Sequence, residues 1–266
     1  LGQKLVLEVG DDACDPKQAV AVANQMVNKK IAFMHGHWCS SSTIPASEVY
    51  LESNILMATV STNPKVTDRG LKNVFAIAGR DDQQGQVGGG YLVDHFKGKK
   101  IAVVDDKSAY GKGLADEIAK AMTAKGGKPA LRESITAGEK DYSGLIAKLK
   151  QAGVEVLAFG GYHTEVALIL RQAEQAKLNL TVLGGDTMSN TELVTAAGKA
   201  ARWVRMSCSA GMSSATRMAA KSCTATVRVP SMSNTQLRTS PRLMPSPCDG
   251  ESGLPGSTMP PVARPG

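Results

Sequence analysis

Short apolar runs and amphipathic segments alternate along the first 200 residues, and the two patterns predict strands and helices. Seven runs rich in β-branched and apolar residues predict strands. They cover residues 5–9, 31–35, 55–59, 101–105, 130–133, 154–159 and 181–183. Strands that alternate with helices are typical of parallel βαβ units, so the pattern predicts an α/β fold.

Helices are predicted between these strands. The first covers residues 15–28, because Asp15 before Pro16 is a typical helix start and the apolar residues from Ala19 to Val27 form one stripe. The other predicted helices cover residues 45–53, 82–96, 111–125, 142–152, 165–176 and 191–197. Each would cover a face of a parallel sheet.

A break in the pattern at residues 77–81 divides these units into two groups. We predict two α/β lobes, a partial first lobe of residues 1–79 and a second lobe of residues 80–201. Open parallel sheets bind ligands beyond the carboxyl ends of their strands. The residues directly after each strand are therefore the candidates for a binding site.

Composition changes abruptly near Ala201, where the apolar periodicity ends. Residues 202–266 contain eight of the twelve prolines, six of the eleven methionines and three of the five cysteines. They hold eight Lys or Arg against two acidic residues, whereas residues 1–201 hold 23 basic and 22 acidic side chains. The net charge of +7 thus comes mostly from this tail, and the nearly neutral remainder does not indicate nucleic-acid binding.

The tail of residues 202–266 is predicted to lack a packed core. One interpretation is a natural, disordered basic tail. The interpretation that we favour is a frame-shifted segment, because periodicity, charge and composition all change at one point. No run of about 18 apolar residues occurs in the chain, so no membrane-spanning helix is predicted.

Hydroxyl side chains follow two successive strands of the first lobe. Residues 40–43 read Ser-Ser-Ser-Thr at the start of a predicted helix, and residues 61–64 read Ser-Thr-Asn-Pro. Helix N-terminal amides and hydroxyl donors suit a carboxylate ligand without a basic side chain. The alternative is ordinary helix capping. In the second lobe, Asp186 follows a Gly pair and is a candidate partner for an ammonium group, the alternative being a turn or cap residue.

Enzyme motifs are missing from the sequence. No GxGxxG follows the first strand, and neither GxxxxGK[ST] nor GxSxG occurs. The glycines at 88–90 fall within a predicted helix, where they permit close packing or weaken the helix. Cys39, close to His35 and His37, has no CxxC partner, which does not favour a metal site. We therefore predict a binding protein without enzymatic activity, cofactor or metal.

Six motifs carry a further signal, and they cover residues 11–21 (DDACDPKQAVA), 36–43 (GHWCSSST), 62–64, 106–113, 135–141 and 160–162. Together they resemble the periplasmic leucine/isoleucine/valine-binding proteins of bacterial ABC importers, and the resemblance ends near Ala201. It implies a type I periplasmic binding protein, in which two Rossmann-like parallel-sheet lobes close on a ligand cleft. The family's first strand and helix, and its strands after the point of Ala201, are not matched, so we expect an incomplete fold that does not bind ligand tightly.

The resemblance also implies a role for individual residues. Ser40, Thr62 and the backbone near Val60 would hold the α-carboxylate of an amino acid. Asp186, where leucine-binding relatives carry Glu, would pair with the α-ammonium. Three aromatic residues complete the set: Tyr110 and Tyr162 would line the cleft, and Trp38 replaces a smaller apolar residue of the relatives.

Cys14 and Cys39 follow successive predicted strands, so a disulfide and two unrelated buried thiols are both open on the residues alone. The resemblance implies that they are the family's disulfide pair. The function it implies is capture of a small L-amino acid by a monomer in the periplasm and delivery to a membrane permease. The alternative is an amide- or amino acid-sensing regulator of the same fold.

Overall fold

The computed structural model describes the backbone of residues 4–201, 203–208 and 223–228, and the side chains of residues 4–201. The strands are β1 (Phe33–His35), β2 (Leu56–Thr59), β3 (Val74–Ala76), β4 (Ile101–Asp105), β5 (Leu131–Ser134), β6 (Val156–Gly160), β7 (Thr181–Gly184), β8 (Trp203–Cys208) and β9 (Cys223–Arg228). The α-helices are α1 (Pro16–Asn28), α2 (Ser40–Glu52), α3 (Lys65–Asp68), α4 (Asp81–His95), α5 (Ala109–Ala124), α6 (Ser143–Ala152), α7 (His163–Gln175) and α8 (Thr191–Ala197).

The first lobe is a three-stranded parallel sheet in the order β1-β2-β3. Helices α1, α2 and α3 cover one face, where Met57 and Tyr50 are fully buried. Side chains alternate across a strand, so the neighbours of Met57 point the other way. On that second face Phe33, Leu56 and Phe75 are about half exposed. The first lobe therefore buries only one face of its sheet within the described residues.

The second lobe contains a six-stranded sheet in the order β5-β4-β6-β7-β9-β8. Strands β4 to β7 are mutually parallel, and β9 pairs antiparallel with both β7 and β8. Helices α4 and α5 pack on one face, and α6, α7 and α8 pack on the other. Every residue of β4 and β6 is buried, as expected for central strands covered on both faces.

Most of the predicted elements are present with shifts of one or two residues. Asp15 caps α1 as predicted, since its carboxylate accepts hydrogen bonds from the Lys17 and Gln18 amides. Helix α2 begins at Ser40 rather than at residue 45. Pro45 is not its first residue but lies inside the helix, which continues through it with the loss of a single backbone hydrogen bond. The predicted helix around residues 88–90 is also present as α4.

Two aspects of the pattern were misread. The predicted strand of residues 5–9 is wrong: residues 4–10 belong to no helix or strand, and Leu5 and Leu7 are 97% and 86% exposed because no described strand pairs with them. Helix α3 and strand β3 were not predicted, because four and three residues are too short to show a period.

Strands β8 and β9 lie inside the segment that was predicted to be a non-family tail. Their backbones extend the second-lobe sheet beyond β7. The rest of that segment lies outside the described residues, so its frame-shifted or disordered nature, like the lobe boundaries, stays a prediction. In the described part of the chain, no helix is long and apolar enough to cross a membrane.

Candidate functional site

A cluster of buried hydroxyl groups shapes the loop between β1 and α2. Thr59 Oγ1 donates to the His37 carbonyl at 2.6 Å, and Ser61 Oγ donates to the Trp38 carbonyl at 2.9 Å. Thr43 Oγ1 lies 2.6 Å from Ser61 Oγ. These bonds fix the main chain of the loop against the carboxyl end of β2, so the start of α2 faces the space beyond the sheet.

Ser40 is the first residue of α2, and its side chain is buried at this edge. Its hydroxyl oxygen accepts a hydrogen bond from the Asn63 amide at 3.3 Å, and a serine hydroxyl that accepts one bond can still donate its proton. The first amides of a helix have no intrahelical acceptors and carry partial positive charge. The start of α2 therefore offers a set of donors without a formal charge.

Asp12 anchors this loop from behind. Its carboxylate pairs with the His37 ring, accepts the Ser42 hydroxyl at 2.9 Å and accepts the Cys14 amide at 2.8 Å. Burial raises the pKa of Asp12, but the hydrogen bonds from His37, Ser42 and Cys14 outweigh it and leave the pKa below its ordinary value. The carboxylate is therefore ionised at neutral pH and holds the loop in place.

A disulfide joins Cys14 to Cys39, as the resemblance implied, with 5.4 Å between the two Cα atoms. Cys39 is the N-cap residue of α2. The bond thus ties the segment before α1 to the residue that precedes Ser40, and it fixes the N-terminus of α2 from a second direction.

The second lobe contributes an acidic wall. Tyr110, in the first turn of α5, donates its hydroxyl to Asp186 Oδ1 at 2.9 Å. Burial, together with the nearby carboxylates of Asp186 and Asp81, raises the pKa of Tyr110 well above its ordinary value. The phenol therefore keeps its proton and remains a donor to Asp186.

Asp186 is also held by Gln84 of α4. Gln84 Nε2 donates to Asp186 Oδ1 at 3.3 Å, and the Asp186 amide donates to Gln84 Oε1 at 3.0 Å. Gly185 permits this approach, because a Cβ there would lie 2.6 Å from the Tyr110 hydroxyl. The carboxylate of Asp186 therefore has a fixed position at the carboxyl end of β7.

Three aromatic rings form a continuous row beside the acidic wall. The ring centroids of Trp38 and Tyr162 are 5.7 Å apart, and those of Tyr110 and Tyr162 are 5.4 Å apart. Trp38 comes from the first lobe and is 58% exposed, whereas the two tyrosines come from the second lobe. The row gives the space between the lobes one apolar side.

The two lobes contact each other directly at the start of α5. Asn63 Nδ2 donates to the Ala109 carbonyl at 2.6 Å, and the Ala109 amide donates to Ser41 Oγ at 3.1 Å. We call these two bonds the Ala109 clasp. The clasp holds the lobes close together, with the hydroxyl loop of one lobe facing the acidic wall of the other.

A cavity of about 100 Å³ lies between these walls. Its lining contains all seven residues that the sequence predicted: Trp38, Ser40, Val60, Thr62, Tyr110, Tyr162 and Asp186. The lining also includes Ser61, Ala78 and Thr187, which the sequence analysis did not select. Ser61 and Thr187 are neighbours of predicted site residues, and their position after a strand could have identified them. Ala78 has no polar side chain from which a role in binding could have been predicted.

The cavity has the charge pattern of a site for a small zwitterion. Among the described residues that line it, Asp186 carries the only formal charge. No group of three potential metal ligands is present in the part of the chain that the structure describes. Hydroxyl and amide donors on one side and a carboxylate on the other are complementary to a molecule with a negative and a positive end.

Two α/β lobes with a polar cavity between them define the class as a two-lobe ligand-binding protein. The chain belongs to the periplasmic binding protein family, whose model matches residues 1–210. Proteins of this family bind solutes rather than catalyse reactions, in agreement with the prediction that the chain is not an enzyme. The match extends nine residues beyond Ala201, where the sequence analysis placed the end of the resemblance.

Curated relatives are similar over the same region. Leu/Ile/Val-binding protein homolog 1 of Brucella melitensis is 50% identical over 200 residues, which cover 75% of this chain and 54% of the relative. The leucine-, isoleucine-, valine-, threonine- and alanine-binding protein of Pseudomonas aeruginosa is 48% identical, with the same two coverages. The chain thus spans about half the length of the curated relatives that it matches.

Solved structures show the same fold. The leucine-binding protein LivK of Thermotoga maritima superposes with a TM-score of 0.72 at 24% identity, covering 82% of this chain and 63% of the other. LivJ of Streptococcus pneumoniae, solved in complex with isoleucine, gives a TM-score of 0.65 at 21% identity, with coverages of 79% and 61%. The predicted type I periplasmic binding protein fold is confirmed.

Proposed function

We propose that this chain carries the amino acid site of an extracytoplasmic solute-binding protein that serves an ABC importer. The observation that carries the proposal is the opposition of two walls across one cavity. The first-lobe wall offers Ser40, Thr62 and the N-terminus of α2, and the second-lobe wall offers Asp186. An α-amino acid has a carboxylate and an ammonium at a fixed short separation, which suits such a pair of walls.

The carboxylate would be held by the first lobe. Ser40 and Thr62 are 2% and 5% exposed, so their hydroxyls and the nearby backbone at Val60 would bind an anion away from competing water. Hydrogen bonds to a charged group contribute about 1.5–3 kcal/mol each. A carboxylate can therefore be bound here by neutral donors.

The ammonium would be held by Asp186, which Tyr110 and Gln84 keep in place. The ligand side chain would then lie against the aromatic row of Trp38, Tyr110 and Tyr162. An apolar surface of this kind favours an aliphatic side chain over a charged one. The names of the relatives, which bind leucine, isoleucine and valine, support the same class of ligand.

Delivery would take place at the membrane. A ligand that contacts both lobes stabilises their closed arrangement, and a closed monomer is the form that a membrane permease could distinguish from an empty one. The name of the family, periplasmic binding protein, supports a periplasmic location. We therefore propose a monomeric periplasmic carrier that hands its amino acid to a permease.

Calorimetry tests the binding step on two proteins. The first is the 266-residue chain. The second is a chimera in which the Brucella melitensis relative supplies those segments of its own sequence that have no match in this chain. We expect the chimera to bind leucine, isoleucine or valine more tightly than neutral polar amino acids. We expect the 266-residue chain to bind the same ligands more weakly, because the described residues cover only one face of its first-lobe sheet.

Two leucine derivatives serve as matched controls for the two ends of the ligand. Leucinamide lacks the carboxylate charge, and 4-methylpentanoate lacks the ammonium. Both should bind the chimera much more weakly than leucine, because each leaves one wall without its partner. Absence of binding across the whole amino acid panel would contradict the proposed function.

A further inference from the structure

Asp81 is a buried acid directly behind the cavity. It is the first residue of α4, where the chain passes from the first lobe to the second, and it is 0% exposed. Its amide donates to the Thr62 carbonyl at 2.9 Å. The residue is thus fixed to the wall that would bind the ligand carboxylate.

A single side-chain amide links Asp81 to the opposite wall. Gln84 Nε2 lies 3.3 Å from Asp81 Oδ1 and 3.3 Å from Asp186 Oδ1, so it donates to both carboxylates. The other oxygen, Asp81 Oδ2, is buried and has no hydrogen-bond partner among the described residues. A buried ionised oxygen without a partner costs far more free energy than a neutral, protonated one.

The groups around Asp81 are acidic. Asp186 faces it from the loop after β7, Asp82 adjoins it on α4, and Tyr110 faces it from α5. Burial is the largest cause that raises the pKa of Asp81 to about 7, with the Asp186 and Asp82 charges adding to it and a contact with the Thr62 side chain opposing it. The hydrogen bonds of Arg80 hold the pKa of Asp82 below its ordinary value, so Asp82 stays charged.

We propose that Asp81 is a proton-linked positioning residue, which holds a proton on Oδ2 in the empty site and releases it to water when an ammonium binds at Asp186. This inference rests on the proposed function. The entering positive charge favours the ionised form of Asp81 across the Gln84 bridge, as an opposite charge within a few ångströms does for other carboxylates. The two acids then share one cation instead of repelling each other.

The direction of the pH dependence follows from this exchange. Because the bound state favours the ionised acid, affinity should fall as the pH drops below about 7, where a proton must first be removed from Asp81. Well above that pH, and as long as the ligand's ammonium keeps its proton, the affinity should be constant. Tyr110 does not contribute, because its raised pKa keeps it neutral throughout.

Carbon-13 NMR of the aspartate carboxyl groups tests the inference on the full 266-residue chain, with and without saturating leucine. Asp81→Asn assigns the signal. We expect a titration midpoint near pH 7 without leucine, and a midpoint lower by about one pH unit or more with it. Asp82→Asn is the matched control, since it removes the neighbouring exposed acid and should leave the leucine-induced shift of Asp81 intact.

The outcomes separate this inference from the proposed function. A midpoint below pH 5 without leucine, or a midpoint that leucine does not move although amide signals show binding, would overturn the role of Asp81. In the Asp81→Asn variant, leucine affinity should not change between pH 5 and 8, and a pH dependence like that of the parent would also overturn it. Amide signals that never respond to leucine would instead contradict the proposed function.

Discussion

At the scale of single residues, Asp186 and Ser40 occupy opposite walls of one cavity. They differ in whether neighbouring groups can make the same ligand contact once the side chain is removed. Asp186 is a fixed carboxylate with donors from Tyr110 and Gln84 behind it. Ser40 is one of several donors at the start of α2. The two residues should therefore contribute unequally to ligand affinity.

Asp186→Ala in the chimera should weaken leucine binding by about 2 kcal/mol or more, about thirtyfold, because it leaves a buried ammonium without its counter-charge. Ser40→Ala should cost about 1 kcal/mol, since neighbouring amides remain. Glu192→Ala is the control, because it removes an exposed acid that does not line the cavity. Calorimetry measures all three. If Asp186→Ala and Ser40→Ala both bind like the parent, the assigned ligand contacts are wrong.

The positions of the candidate residues could be predicted from the sequence, but their connections could not. Ser40 and Thr62 follow strands of the first-lobe sheet and Asp186 follows a strand of the second-lobe sheet, so each is predicted to lie at the carboxyl edge of its own parallel sheet. Asp81 and Gln84 lie within a helix that starts at the crossing between lobes. The hydrogen bond between Gln84 and Asp186 joins residues 102 positions apart, and no local pattern encodes such a contact.

At the scale of elements, α4 and α5 pack unusually closely on the second-lobe sheet. A Cβ at Gly85 would lie 2.4 Å from Glu117 Cβ, and a Cβ at Gly89 would lie 2.5 Å from the Ile118 carbonyl oxygen. Glycines inside a helix were predicted to permit close packing or to weaken the helix. The contacts support close packing, in which absent side chains let the two helix backbones approach.

Gly89→Ala should therefore destabilise the chain, although alanine favours a helix by about 0.5–1 kcal/mol over glycine. The added methyl group must push α4 away from α5, at a cost of about 1–3 kcal/mol. The matched control is Gly144→Ala in α6, where a Cβ would meet nothing within 4 Å and should stabilise by up to about 1 kcal/mol. Urea unfolding measures both, and equal effects would contradict the packing argument.

The sequence predicted these elements best where residues at their ends mark the boundaries. Helices α1 and α8 and strand β4 match their predicted bounds within one residue, because capping residues or continuous apolar runs define their ends. Residues 5–9 have the composition of a strand, but a strand also needs a neighbour with which to pair. Composition alone cannot show that this neighbour is missing from the described residues.

At the scale of the whole molecule, the two lobes differ in completeness. The central strands of the second lobe are covered on both faces, whereas Phe33, Leu56 and Phe75 leave one face of the first-lobe sheet about half exposed. The two-lobe division came from a break at residues 77–81 and from the resemblance. The resemblance implied that the lobes close on each other, but the contacts that hold them together could not be predicted, because they join segments far apart in the chain.

The Ala109 clasp joins the two lobes through protein groups alone, so it would hold them together without a ligand. Asn63→Asp tests it, because aspartate keeps the oxygen that accepts from the Lys65 amide but loses the donor to the Ala109 carbonyl. We expect faster leucine association and faster dissociation in stopped-flow measurements that follow Trp38, with Trp203 replaced by Phe in parent and variant. Asn24→Asp, an equal change of charge on the exposed face of α1, should change neither rate. Unchanged rates in Asn63→Asp would show that the clasp does not restrain the lobes.

The clasp consequently slows the binding of a ligand as well as its release. A molecule that is closed without a ligand cannot bind one until it opens. Its apparent dissociation constant is therefore the intrinsic dissociation constant divided by the fraction of open molecules. A hydrogen bond that contributes about 1 kcal/mol changes the ratio of open to closed molecules roughly fivefold. Two neutral hydrogen bonds can thereby set how quickly the protein responds when the concentration of its ligand rises, with little bearing on which ligand it selects.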